Sequence, residues 1–189
     1  MNRSILLTAL VVLIPVTCIA QDKETASEAA AELEVLKASI GVWDASIEVW
    51  SNGLDAPPIK FTGVETNRPY GAHWIVSDFD SQVMGQTMKI HSIIGYDVDK
   101  KKLVGTQVDH GPHAAKLTGE YDKESKQLKW VVHAKDLSGN EMVQRTTITQ
   151  VDDDTRVLVL NTPGQKEGEF AKFMEIKFVK RKTENKDSK

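Results

Sequence analysis

The sequence lacks the features that a disulfide framework, a nucleic-acid surface or a familiar catalytic motif would require. Cys18 is the single cysteine among 189 residues, so no disulfide can form within the chain and stability must come from a core. Lysine and arginine total 24 against 27 acidic residues, and no basic patch typical of nucleic-acid binding is visible. Neither a Gly-x-Ser-x-Gly motif nor a Cys-x-x-Cys-His motif occurs. These absences exclude a serine-elbow hydrolase and c-type haem attachment.

Residues 1–20 have the pattern of a secretory signal peptide. Arg3 supplies a short basic start, Ile5–Ile14 is an apolar run, and small residues precede Gln21. The run is too short for a membrane span, which needs about 20 residues. We therefore expect cleavage before Gln21 and export to the periplasm or the exterior, without stable membrane insertion afterwards. The alternative is a lipid anchor on Cys18.

The remainder of the chain is predicted to form one domain. Residues 21–27 are predicted as a flexible polar leader, residues 28–182 as the folded domain, and residues 183–189 as a disordered tail of mixed charge. About 165 residues are ample for one hydrophobic core and scarcely enough for two. No solenoid-type repeat and no glycine-rich linker divides the chain.

One helix is predicted at the start of this domain. Within the stretch 28–40, Leu33, Leu36 and Ile40 recur at the spacing of a single helical face. Gly41 follows directly and is expected to end the helix.

Strands are predicted from there to the end of the domain, because apolar and polar residues alternate between closely spaced polar turns. The clearest hairpin signal is Gly95–Val104, and a similar one follows at Gly119–Leu128. The predicted strands are Val42–Ser51, Ile59–Arg68, His73–Ser81, Thr87–Asp97, Leu103–Asp109, Ala115–Tyr121, Gln127–Lys135, Glu141–Val151, Arg156–Thr162 and Glu169–Lys180. About ten strands and one helix predict a mainly β protein, an antiparallel up-and-down barrel whose closure removes sheet edges.

Three stretches carry a resemblance to a known family. They are the helix leading into Gly41-Val42-Trp43, the central Gly95-Tyr96-Asp97 with the strand up to Asp109, and the closing stretch Phe173–Arg181. Their order and spacing resemble an uncharacterised bacterial family, domain of unknown function 1579. The Gly-x-Trp after a helix is also similar to the start of lipocalin-type (calycin) barrels, which bind small apolar molecules. The resemblance implies a barrel and no established reaction.

Polar candidates for a site come from the alternation along one strand. If Leu103 points inward, the two-residue period places Gln107 and Asp109 inward as well. A buried carboxylate must be paired, and Arg145 is the expected partner, with Glu175 competing for it. Ligand recognition and a purely structural pairing both remain open.

Aromatic candidates lie on three strands. Trp43, Trp74 and Trp130 are expected to point inward by the same alternation, and each indole N–H needs a partner. They either fill the core or line a pocket.

His110 and His113 are weak candidates for metal ligands, because they flank the turn Gly111-Pro112. Zinc would need three or four converging ligands, and the alternative is a simple turn. A haem ligand from these two histidines or His133 is a further alternative. No cofactor is expected.

The leading hypothesis is a non-enzymatic one. The barrel interior is the default pocket of such a fold, and we expect it to bind a small, largely apolar ligand. The alternatives are an enzyme acting on a small molecule in the same cavity and an envelope interaction protein with a solid barrel. No nucleic-acid partner is expected.

Overall fold

A computed structural model of the protein describes residues 31–83, 85–136, 138–164, 166 and 168–182. The predicted signal peptide, its cleavage site, Cys18, the polar leader and the charged tail lie outside these residues. In the part of the chain that is described, no helix has the length and apolar character required to cross a membrane.

The described helix, α1, covers residues 31–38 and leads directly into the barrel. Its last turn is closed by Ser39, whose backbone N and Oγ both donate to the Leu36 carbonyl, at 3.0 and 2.6 Å. Gly41 then adopts a φ of +132°, a conformation that residues with a side chain rarely adopt. This turn redirects the chain from the helix into the first strand.

Ten antiparallel strands form a closed barrel, in which each strand pairs with the next and the last pairs with the first. They are β1 Gly41–Val49, β2 Ile59–Tyr70, β3 Trp74–Val83, β4 Gln86–Asp97, β5 Lys102–Val108, β6 Ala115–Asp122, β7 Gln127–Lys135, β8 Glu141–Asp152, β9 Thr155–Pro163 and β10 Phe170–Lys180. The predicted ten-stranded up-and-down barrel is confirmed, and no predicted strand end differs from the structure by more than two residues.

The helix packs on one end of the barrel, which we call the helix end. Leu36 is only 2% exposed and belongs to a core cluster with Tyr96, Leu103 and Leu128, residues near the strand ends at this side. The opposite end, which we call the mouth, carries the loops that follow β1, β3, β5, β7 and β9. The helix therefore covers one end of the barrel and leaves the mouth to the loops.

Two glycines allow aromatic rings to lie flat against the inner wall. A Cβ atom at Gly119 would lie 2.5 Å from Cε3 of Trp130, and one at Gly63 would lie 2.8 Å from Cζ of Phe79. Gly119 is the direct pairing partner of Trp130 on the neighbouring strand. Gly63 is diagonal to Phe79, whose direct partner is Glu65. Any larger residue at Gly63 or Gly119 would displace a ring that shapes the interior.

Candidate functional site in the barrel interior

The barrel encloses a cavity of about 200 Å³. One wall, formed by β9 and β10, is entirely apolar and presents Leu158, Leu160, Ile176 and Phe178 to the cavity. These side chains point inward because they alternate along their strands with residues of the outer face. The cavity is therefore a mainly apolar space, as expected for a site that holds a small molecule.

A second pocket, of about 500 Å³, lies directly above this cavity at the mouth. Four residues line both spaces: Met88, Gln107, Val132 and Gln144. A single layer of side chains thus separates the cavity from the mouth.

A row of neutral polar side chains crosses the wall from β2 to β5. Asn67 pairs with Ser77, Ser77 with Ser92, and Ser92 with Gln107 in successive strand registers. On the other side of the cavity, Thr146 of β8 is also buried. The wall opposite the apolar one therefore offers hydroxyl and amide groups to the interior.

Three of these polar groups have no protein partner within the described residues. The Ser92 hydroxyl, the Gln107 amide and the Thr146 hydroxyl form no side-chain hydrogen bond there. Ser92 and Thr146 are only 9% and 8% exposed. Because all three residues line the cavity, and hydroxyl and amide groups both donate and accept hydrogen bonds, these groups suit a bound molecule or water.

A buried ion pair lies between the cavity and the helix end. Arg156 donates to Oε2 of Glu65, and the Ser77 hydroxyl donates to Oε1 of Glu65 at 3.1 Å. The guanidinium group stacks over the rings of Trp43 and Phe178, at 4.4 and 4.7 Å from their centroids. Burial lowers the pKa of Arg156, while the Glu65 carboxylate opposes that shift. The arginine stays cationic, since its pKa starts far above neutrality.

Trp43 belongs to this cluster and does not line the cavity. It is fully buried, and its Nε1–H donates to the Ser39 carbonyl at 2.8 Å. Asn67 donates to the same carbonyl at 3.0 Å. Trp43 therefore connects the barrel core with the end of the helix.

Of the other residues predicted for the site, two lie where expected. Gln107 and Trp130 line the interior cavity. Asp109 was predicted to be buried and paired, and that prediction is wrong: it is exposed at the mouth pocket, one residue beyond the end of β5. Its Oδ1 accepts a hydrogen bond from the Gly111 backbone at 2.6 Å. Their role in ligand binding stays a prediction.

Trp74 was expected to point inward, and that prediction is wrong. It lies on the outer face at 36% exposure, while its neighbour Ile75 occupies the interior. A Cβ atom at Gly95 would be only 2.5 Å from Cε3 of Trp74, so the indole covers this glycine from outside. The alternation was placed one residue out of phase at the start of β3.

Arg145 and Glu175 also lie outside the barrel, contrary to the expectation that Arg145 pairs inside it with Asp109 or with the competing Glu175. Arg145 is exposed and stacks over Phe170 at 4.1 Å, between the cavity-lining neighbours Gln144 and Thr146. Glu175 pairs with Lys172 at 2.7 Å. Both assignments rested on charge complementarity, whereas strand phase decides which way a side chain points.

Glu65 and Arg156 are the interior charges that the sequence did not reveal. In β9 the residues after Arg156 are apolar on both faces, as Val157 and Leu158 illustrate. The alternation therefore did not indicate whether Arg156 points inward or outward. A signal existed in β2, where Phe61, Gly63 and Glu65 share one face opposite Ile47, Ala45 and Trp43 of β1. The two-residue alternation along β2 would therefore have predicted that Glu65 points into the barrel.

The histidine candidates lie at the mouth and on the surface. His110 and His113 line the mouth pocket, and Nδ1 of His110 accepts a hydrogen bond from the Lys89 backbone at 3.4 Å. His133 is exposed on the outer face. Among the described residues, no group of three or more His, Cys, Asp and Glu side chains is arranged to hold a metal ion.

A close carboxylate–imidazole pair is found on the outer surface. Nδ1 of His91 lies 2.6 Å from Oδ1 of Asp78, and Arg68 contacts the other carboxylate oxygen at 2.5 Å. The hydrogen bond with His91 lowers the pKa of Asp78; partial desolvation opposes this shift, and the hydrogen bond with Arg68 adds to it. Because Asp78 alternates with the inward-facing Ser77 and Phe79, this pair does not face the cavity.

Comparison with known proteins gives a family and a fold. The model of a family described as a protein of unknown function (DUF1579) matches residues 28–180. No curated protein matches the sequence.

Two solved structures share the fold. The crystal structure of Rv2717c from M. tuberculosis has a TM-score of 0.60 at 9% identity, covering 79% of this chain and 97% of that one. The S-type phycobiliprotein lyase CPES from Guillardia theta has a TM-score of 0.56 at 11% identity, covering 86% and 98%. At such identities the likeness shows the fold alone.

Proposed function

This chain belongs to the DUF1579 family of proteins of unknown function, and on that premise we propose that it is an exported barrel protein that binds a small, largely apolar molecule in its interior. The observation that carries this proposal is the cavity of about 200 Å³, which has one apolar wall and, elsewhere in its lining, polar groups without a partner among the described residues. A solid barrel would have filled this space with side chains.

The size of the cavity limits the ligand. A cavity of about 150 Å³ in another protein holds benzene, so this one suits an apolar body of somewhat larger size. Pockets for drug-sized ligands measure about 300–1,000 Å³. The adjoining mouth pocket of about 500 Å³ could hold the remainder of a longer molecule.

The fold supports the same proposal at a coarser level. One structural neighbour is named as a phycobiliprotein lyase, which keeps an enzyme acting in the same cavity as an alternative. The described cavity wall favours binding over catalysis, because its one charged side chain, Glu65, already pairs with Arg156. The leading function is therefore ligand binding.

Native mass spectrometry of the protein purified from its own cells tests this function. We expect the wild type to carry a non-covalent adduct that is lost in Thr146→Phe, because Thr146 lines the cavity and the ring would occupy the space. Thr147→Phe is the matched control, since Thr147 is the adjacent residue on the outer face, and it should keep the adduct. An adduct of equal occupancy in both variants would contradict binding in the interior.

Export rests on the pattern of residues 1–20 and has its own test. N-terminal sequencing of the purified protein should begin at Gln21. A protein that keeps Met1 would contradict export, and a lipid on Cys18 would replace the soluble form by an anchored one.

A further inference from the structure

We infer that the ligand of the interior is electrically neutral and carries a hydroxyl, carbonyl or amide group along one edge. This inference rests on the proposed function and names the class of molecule that the cavity selects. It follows from two features of the wall, its charge balance and the position of its unpaired polar groups.

The charge balance disfavours a charged group inside the cavity. Among the described residues that line the cavity, Glu65 is the only charged one, and its carboxylate is neutralised by Arg156. A carboxylate or phosphate in the cavity would therefore find no free cation, and an ammonium group would find no free anion. A buried charge without a partner is strongly unfavourable, so a neutral molecule binds in preference to its charged analogue.

The unpaired polar groups define what the ligand must offer. The Ser92 hydroxyl, the Gln107 amide and the Thr146 hydroxyl face the cavity without a hydrogen-bond partner in the described part of the chain. Hydroxyl and amide groups both donate and accept hydrogen bonds. A neutral hydroxyl, carbonyl or amide on the ligand satisfies them without introducing a charge.

The two walls also orient such a ligand. Ser92 and Gln107 are opposite each other in the pairing of β4 and β5, and Gln107 reaches both the cavity and the mouth pocket. The wall of β9 and β10 is apolar. We therefore place the hydrocarbon part of the ligand against Leu158 and Ile176, with its polar group toward Ser92 and Gln107.

A series of eight-carbon compounds with different head groups tests the inference in the wild-type protein. Octan-1-ol, octanamide and sodium octanoate share one chain and differ in charge and hydrogen bonding. By isothermal titration near pH 7, we expect the alcohol and the amide to bind about tenfold or more tightly than the carboxylate. Octanoate that binds as tightly as octan-1-ol would overturn the inference and leave the proposed function intact. Failure of all three compounds, together with absence of any native adduct, would overturn the proposed function itself.

Single substitutions locate the polar contact. Ser92→Ala and Gln107→Leu should each weaken the binding of octanamide severalfold, because each removes a hydrogen-bonding group from the cavity. Thr106→Ala is the matched control on the outer face next to Gln107 and should leave the affinity unchanged. Equal affinities in all three variants would contradict the assigned polar edge.

A reversal of charge preference provides an independent test. Glu65→Gln removes the carboxylate that neutralises Arg156, so the interior gains a free cation. We expect octanoate to bind this variant more tightly than it binds wild type and to raise its melting temperature, so that the preference for octan-1-ol over octanoate becomes smaller. A folded Glu65→Gln variant that still rejects octanoate would contradict the charge argument. If the variant does not fold, the comparison of compounds on the wild type still decides.

Discussion

Trp43 connects three parts of the molecule through a single side chain. Its indole N–H bonds to Ser39 at the end of the helix, its ring lies under the Arg156 guanidinium, and its body is fully buried among core residues. The residue therefore couples the helix, the buried charge and the barrel wall. Its role is structural, although the sequence also allowed a place in a ligand pocket.

Removal of this ring should destabilise the whole domain. We expect Trp43→Ala to lower the free energy of unfolding by about 3–5 kcal/mol, the usual cost of truncating a buried aromatic residue. Urea unfolding measures this change. Tyr70→Ala is the control, because Tyr70 is 66% exposed and should change stability by about 0.5 kcal/mol or less. Equal stabilities of wild type and Trp43→Ala would contradict the position assigned to Trp43.

The ion pair of Glu65 with Arg156 should show the behaviour of a buried pair. Glu65→Gln leaves the Arg156 charge buried without its partner, and we expect a loss of about 3–5 kcal/mol in unfolding free energy. Removing both charges, by Glu65→Gln with Arg156→Met, should cost less than the sum of the two single changes.

Glu175→Gln is the surface control for this pair. Glu175 contacts Lys172 at 2.7 Å, but its side chain is 34% exposed, and exposed pairs contribute about 0–1 kcal/mol. We expect a small effect in the same urea experiment. If Glu175→Gln lowered the unfolding free energy as much as Glu65→Gln, the result would contradict the claim that burial makes the Glu65–Arg156 pair more important for stability.

Among the elements of the fold, the hairpin turns share one device. An aspartate at the end of a strand accepts backbone N–H groups of the turn: Asp97 from Asp99 and Lys100, and Asp122 from Glu124 and Ser125. Such bonds imitate a backbone turn and fix the point at which the chain reverses. The Tyr-Asp pattern that predicted the hairpins thus has a physical cause in these carboxylates.

This device makes stability depend on pH in a definite direction. The ammonium of Lys129, which hydrogen-bonds to Asp122, and the turn hydrogen bonds of Ser125 hold the pKa of that carboxyl well below its usual range. A lowered pKa in the folded state contributes stability above the unfolded pKa, near 4, and loses it as the pH falls further. Wild type should therefore exceed Asp122→Asn in urea midpoint at neutral pH, and the difference should shrink from pH 5 to pH 2. A difference that grows on acidification would contradict this assignment.

The strands show which features of the fold the alternation of apolar and polar residues can predict. Alternation predicted ten strands and the inward positions of Gln107 and Trp130, because a half-buried strand repeats its environment every two residues. It failed for Trp74, at a strand start, where too few residues define the phase. It could not find Arg156, since β9 is apolar on both faces. Arg145 was assigned by charge complementarity, which does not determine direction.

At the scale of the whole molecule, closure of the sheet creates the interior and the helix covers one end of it. Every one of the ten described strands has two hydrogen-bonded neighbours, so this barrel has no open edge for pairing with another chain. At the mouth, the second pocket adjoins the cavity. Neither the volume nor the connection of these spaces could be predicted from the sequence, because strand phase gives the direction of a side chain and not the space in front of it.

Methyl-selective NMR of the protein saturated with octan-1-ol tests most directly whether the interior holds the ligand. Leu158 lines the cavity, whereas Val157 and Val159 alternate with it on the outer face of the same strand. We expect nuclear Overhauser contacts from the alcohol chain to the methyl groups of Leu158 and Ile176, and none to those of Val157 and Val159. Contacts confined to the two valines, or no contact to Leu158 and Ile176 at saturation, would contradict binding inside the barrel.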